Sequence, residues 1–96
     1  MRKQQALDLL AQHKPVLMAR FGVTDLALFG STARDEARED SDIDVLVEFE
    51  GSTTAKRYFG VQFYLEELLG HPVDLVQKEV IRKQLKPYIE RDLIHV

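Results

Sequence analysis

Cysteine is absent from this chain of 96 residues, which removes disulfides, thiolate nucleophiles and Cys-based zinc sites from consideration. The three histidines, His13, His71 and His95, show no zinc-ligand spacing either. No apolar run is long enough to span a bilayer and no signal-like segment opens the chain, so the expected setting is soluble and cytoplasmic, away from membranes. Positive charge is also scarce. Thirteen Lys and Arg face sixteen Asp and Glu, giving a net charge of −3 and a pI near 5.5. Sequence-independent binding of DNA or RNA needs a basic surface, so a long nucleic acid is not the expected substrate. Repeats, low-complexity tracts and linkers are lacking too. With 45% hydrophobic residues, residues 1–96 are expected to form one domain with a modest core and a thin stability margin.

What is present is a helix-and-strand pattern. Ala6, Leu9, Leu10, Val16, Leu17 and Phe21 recur at helical spacing from about Lys3 to Phe21. Pro15 lacks a backbone donor and is expected to kink that helix or split it, with Gly22 ending it. Strands are expected at about Thr24–Phe29, Ile43–Phe49 and Val73–Val76. Between the last two, the hydroxyls of Ser52, Thr53 and Thr54 offer caps for a helix that carries Val61, Leu65, Leu68 and Leu69 and ends at Gly70. After Lys78, the residues Val80, Ile81, Leu85, Tyr88, Ile89 and Leu93 suggest one or two short helices around Pro87, then a last strand at Ile94–Val96. The expected class is α/β of the α+β kind: a small mixed sheet with helices packed on one face.

The chemistry concentrates between Leu28 and Val47. Gly30-Ser31 follows the apolar run Leu26–Phe29, and Thr32-Ala33-Arg34 suits a short helix behind it. A strand, a glycine turn and a helix start present backbone N–H groups to a phosphate, and Ser31 adds a hydroxyl. Ten residues separate Ser31 from Asp42. Asp42 and Asp44 fall on one face of the following strand, while Ile43, Val45 and Val47 fall on the other. Two neighbouring anions repel unless a cation lies between them, and oxygen ligands of this kind suit Mg²⁺ shared with substrate phosphates. An EF-hand calcium loop starting at Asp40 fails, because Val45 and Gly51 stand where Gly and Glu are required. A Walker loop is absent.

Gly-Ser followed after ten residues by Asp-x-Asp resembles the motif of the minimal nucleotidyltransferases of the DNA polymerase β-like superfamily. Ser31–Arg34, Ser41–Asp44 and Pro72–Val76 resemble members of that family as well, so the likeness extends over nearly the whole chain. One position departs: Asp35 stands where Gly commonly follows the Arg, and Asp tolerates the left-handed conformation better than most residues. The resemblance implies a palm-like fold and a third carboxylate at Asp74. It implies that Asp42, Asp44 and Asp74 act as catalytic and metal-binding residues for two Mg²⁺ ions. It also implies that Gly30 and Ser31 seat the phosphates of ATP.

Minimal members of this family accompany a HEPN-type ribonuclease toxin and transfer AMP from ATP to a tyrosine of it, acting as antitoxins. The resemblance implies the same here, with a hetero-oligomer or a homodimer as the assembly. Two other readings stand beside it. One is a non-catalytic module that neutralises the toxin by occlusion; the other is a small-molecule nucleotidyltransferase of the aminoglycoside-modifying sort. Arg34 suits either a brace for the turn or a phosphate contact, and Lys56 and Arg57 suit either a triphosphate contact or a solvated helix start. Tyr58, Phe59, Phe63 and Tyr64 read first as core or partner surface, and second as a stacking platform for adenine.

Overall fold

The computed structural model describes residues 1–80 and 89–96. Helix α1 covers Lys3–Phe21 and buries Ala6, Leu10 and Leu17. Gly22 closes it in the left-handed region at φ 73°, with its N–H donating to Met18 O over 3.0 Å. Pro15 lies inside one continuous helix, so of the two expected outcomes, a kink or a split, the split does not occur. Both Pro15 and Ala11 face solvent, where water can take the carbonyl that the ring leaves unpaired.

Strand β1 (Val23–Phe29) leads directly into the single-turn helix α2 (Gly30–Ala33). Strand β2 (Ile43–Phe49) runs back antiparallel to β1. Helix α3 (Ala55–Leu69) starts at Thr54, whose Oγ1 accepts from Arg57 N at 3.2 Å, and buries Val61, Leu65 and Leu69. It returns the chain to β3 (Val73–Gln77), which lies parallel to β2. Strand β4 (Ile94–His95) adds antiparallel to the other edge of β1, and Val96 N extends that edge with a bond to Leu26 O. The order across the mixed sheet is β3-β2-β1-β4. The stretch with Ile81, Leu85, Pro87 and Tyr88, read above as short helices, lies outside the described residues apart from its flanks.

Side-chain alternation gives the sheet two unlike faces. Leu26, Leu28, Ile43, Val45, Val47, Val73 and Leu75 pack with α1 and α3 in one core. Burying a side chain of this size contributes about 1.5–3 kcal/mol, so this layer holds the fold together. Among the described residues, the opposite face carries Ala27, Phe29 and Leu46 as its buried residues, with Val76, Ile89 and Leu93 packed against them. Helices α1 and α3 therefore lie on one side of the sheet. Among the described residues, no helix is long and apolar enough to cross a membrane.

Candidate active site

Asp44 is the residue that organises the thinly covered face. It lies opposite Phe29 in the antiparallel β1–β2 ladder and opposite Asp74 in the parallel β2–β3 ladder. Equivalent register puts the two carboxylates on the same face. Asp42 does not share the strand as expected: β2 begins at Ile43, and Asp42 is the loop residue just ahead of it. Its charge nevertheless acts on Asp44. Burial first, then the charges of Asp74 and Asp42, push Asp44 from 3.8 up to about 6, and Arg34 offsets this only in part. Asp44 is thus repelled by both neighbouring acids and also shares a hydrogen bond with Asp74.

Gly30 makes this crowding sterically feasible. Its φ is +73°, and a Cβ there would stand 2.0 Å from Asp44 Oδ2. No other residue type lets the turn lie so close to the carboxylate. Ser31 follows at the same place, and Phe29, Gly30, Ser31, Arg34, Asp44, Ile89 and Asp92 line a cleft of about 450 Å³. Helix α2 is only four residues long, so it contributes little helix dipole here. Asp74 sits beside Asp44 yet outside the cleft lining. Its charge, after burial, also raises the pKa of Tyr58, whose hydroxyl donates to Leu75 O.

The donor set is chemically suited to a hard cation, because an added positive charge would relieve the repulsion that lifts Asp44. Among the described residues, however, no three His, Cys, Asp or Glu side chains are arranged to hold a metal ion. The acids are close in charge without forming a closed ligand cage.

The neighbouring basic residues take clear roles. Arg34 Nε bonds Glu36 Oε2 at 3.2 Å and its Nη1 bonds Asp92 Oδ2 at 2.7 Å. Asp35 occupies the left-handed region at φ 58°, and its Oδ1 accepts from Lys3 N at 3.0 Å. The extra anion thus faces the first turn of α1. Arg57 is no triphosphate contact: it donates to Phe21 O, Glu50 O and Ser52 O, each at 2.8 Å, and lies over the Phe49 ring. Those partners are at the far end of β2 from Asp44. Of the helix aromatics, Tyr64 bonds His13 and Tyr58 bonds Leu75, while Phe59 and Phe63 are exposed; none of the four lines the cleft.

Two cleft residues were invisible to motif reading, Ile89 and Asp92. They lie more than forty positions beyond Asp44; Ile89 belongs to an apolar helical pattern and Asp92 to none, and the pairing of β4 with β1 and the packing of Ile89 on Ala27, Phe29 and Leu46 bring them back. A second hollow of about 260 Å³ sits at the opposite end of the sheet. Its base, Lys78, is held by Asp25 at 3.1 Å and Glu48 at 3.3 Å.

Comparison with known proteins agrees with the geometry. The family described as "Nucleotidyltransferase domain" matches residues 10–95. The protein adenylyltransferase MntA of Thermococcus cleftensis is 41% identical over 89 residues, covering 93% of this chain and 90% of its own. A solved structure provisionally described as a minimal nucleotidyltransferase superposes with a TM-score of 0.75 at 38% identity, covering 98% of this chain and 95% of the other. A chain from a toxin–antitoxin MntA–HpeT complex shares the fold, with a TM-score of 0.63 at 18% identity, over 99% of this chain and 72% of the other. The class is therefore an enzyme of nucleotidyl transfer. This chain belongs to the nucleotidyltransferase domain family, in its minimal form.

Proposed function

We propose that this protein transfers AMP from ATP to a hydroxyl group on a partner protein. The observation that carries the reading is the close approach of the Gly30-Ser31 turn to Asp44 in one cleft, with Asp74 opposite Asp44 on the neighbouring strand. A phosphate-sized turn against one carboxylate, with a second carboxylate beside it, suits metal-assisted phosphoryl displacement. The likeness to a named protein adenylyltransferase supports a protein as the acceptor.

Gly30 and Ser31 seat the phosphates through backbone N–H groups and the Ser31 hydroxyl. Asp42, Asp44 and Asp74 would hold Mg²⁺, two ions by the family likeness, and the metal would neutralise phosphate charge and acidify the acceptor hydroxyl. The acceptor oxygen forms a bond to the α-phosphorus, the bond to the β-phosphate bridge breaks, and pyrophosphate leaves with that electron pair. Asp74 assists removal of the hydroxyl proton. Residues 1–96 act as one domain in the cytoplasm, and the acceptor is a tyrosine of a HEPN-type toxin, which the modification silences.

The test is incubation of the protein with Mg²⁺, α-labelled ATP and the candidate toxin. Label on a toxin tyrosine is the expected result. A stable complex without label would instead mark a module that acts by occlusion, and label only on an added aminoglycoside would mark a small-molecule enzyme.

A further inference from the structure

Arg34 is the only base among the described residues that line the cleft, and its guanidinium is already engaged. Nη1 bonds Asp92 at 2.7 Å and Nε bonds Glu36 at 3.2 Å. Hydrogen bonding to Asp92 first, then to Glu36, holds the Arg34 charge in place. Asp92 is no freely solvated acid: its side chain is 14% exposed. It belongs to the turn that returns the chain to β4, where Asp92 N bonds Ile89 O, and Ile89 and Leu93 on either side pack on Ala27, Phe29 and Leu46. Arg34 thus clips the segment 89–93 onto the face of the sheet away from α1 and α3, where Ile89 and Asp92 form part of the cleft lining.

A nucleoside polyphosphate that enters between Ser31 and Asp44 meets a guanidinium whose Nη1 is held by Asp92 and whose Nε is held by Glu36. Phosphate and carboxylate suit the same planar fork, and two anions cannot crowd one cation in a cleft already lined by Asp44 without mutual repulsion. We propose that Asp92 is a built-in rival of the nucleotide for Arg34, so that polyphosphate binding displaces Asp92 and loosens the 89–93 segment. This rests on the nucleotide-binding reading given above. Coupling of this kind is reciprocal: docking of the segment weakens nucleotide binding by the same factor by which nucleotide weakens docking.

The experiment is calorimetric titration of the full chain with ATP and Mg²⁺, in the parent, Asp92→Asn and Asp92→Glu. Asp92→Asn keeps size but removes the rival charge, and ATP affinity is expected to rise about two- to fivefold, the range such an ion pair spans. Asp92→Glu, which retains the charge, is expected to return affinity toward the parent. Hydrogen exchange on the parent needs no variant: the amides of Asp92 and Leu93 should exchange faster with ATP present. Unchanged or weaker ATP binding by Asp92→Asn, or unchanged exchange in the parent, overturns the proposal. Binding by the parent with no difference between variants sinks this inference alone, whereas no ATP binding by any form sinks the nucleotide site and the rivalry with it.

Discussion

Asp44 and Asp74 stand opposite each other across the parallel β2–β3 ladder, two like charges on one face with no base between them in the strand pair. This arrangement costs folding energy and is retained at the point where a cation and a polyphosphate would meet.

The cost is measurable through pH. Asp44 titrates near 3.8 in the unfolded chain and at about 6 in the fold, through burial and then the charges of Asp74 and Asp42. Between those values the folded state holds the extra proton, so metal-free stability should fall as pH rises from about 4 to about 6 and stay lower above that. Discounted for the half-exposed position, the loss is about 1–2 kcal/mol. Asp44→Asn should therefore stabilise the metal-free protein near neutral pH by about that amount and flatten the slope, while abolishing AMP transfer. Urea unfolding across the pH range and the labelled-ATP assay check both halves. An Asp44→Asn protein that transfers AMP at the parent rate would refute the assignment.

Gly30→Ala should damage the site and the fold together. The new methyl would stand 2.0 Å from Asp44 Oδ2, on a backbone at φ +73°. A loss of about 1–2 kcal/mol is expected from the left-handed conformation alone, with activity falling further because Asp44 must move. Comparison of unfolding midpoint and transfer rate separates the two effects.

Arg57→Ala tests a structural role against a phosphate contact. Three carbonyl acceptors at 2.8 Å tie α1, the end of β2 and the loop before α3 to this one side chain. Its removal should cost about 2–3 kcal/mol and leave the Kd for ATP unchanged. A selective loss of ATP binding at parent stability would reverse the assignment.

Substitutions at Asp35 should separate backbone strain from capping. Asp35→Ala loses the bond to Lys3 N while keeping a side chain at φ 58°, and a loss of about 1–2 kcal/mol is expected. Asp35→Gly also loses the bond but relieves the conformation, so its net change should stay within about 1 kcal/mol. Thermal unfolding of the two variants side by side distinguishes them.

The strands and long helices were legible because they follow local rules. Alternation of Ile43, Val45 and Val47 marked β2, and Gly22 and Gly70 marked the helix ends. The link between the Gly30 turn and Asp44 was legible as spacing, since a turn and the next antiparallel strand return to the same place. Position in the tertiary structure was not. Pro15 looked disruptive until its solvent exposure was known, and Arg57 looked like a candidate phosphate ligand until the Phe21 and Glu50 carbonyls claimed it. Asp92 carried no signal at all, because only β4 pairing with β1 brings it to Arg34.

The bond from Lys3 to Asp35 has a practical side. Helix α1 has no side-chain cap of its own at Arg2 and takes one from Asp35, so the start of the helix is tied to the turn that follows α2. A purification tag fused tightly ahead of Met1 would pull on that bond, and one fused directly after Val96, whose N–H donates to Leu26 O, would strain the edge of β1, so a spacer is the safer choice at either end.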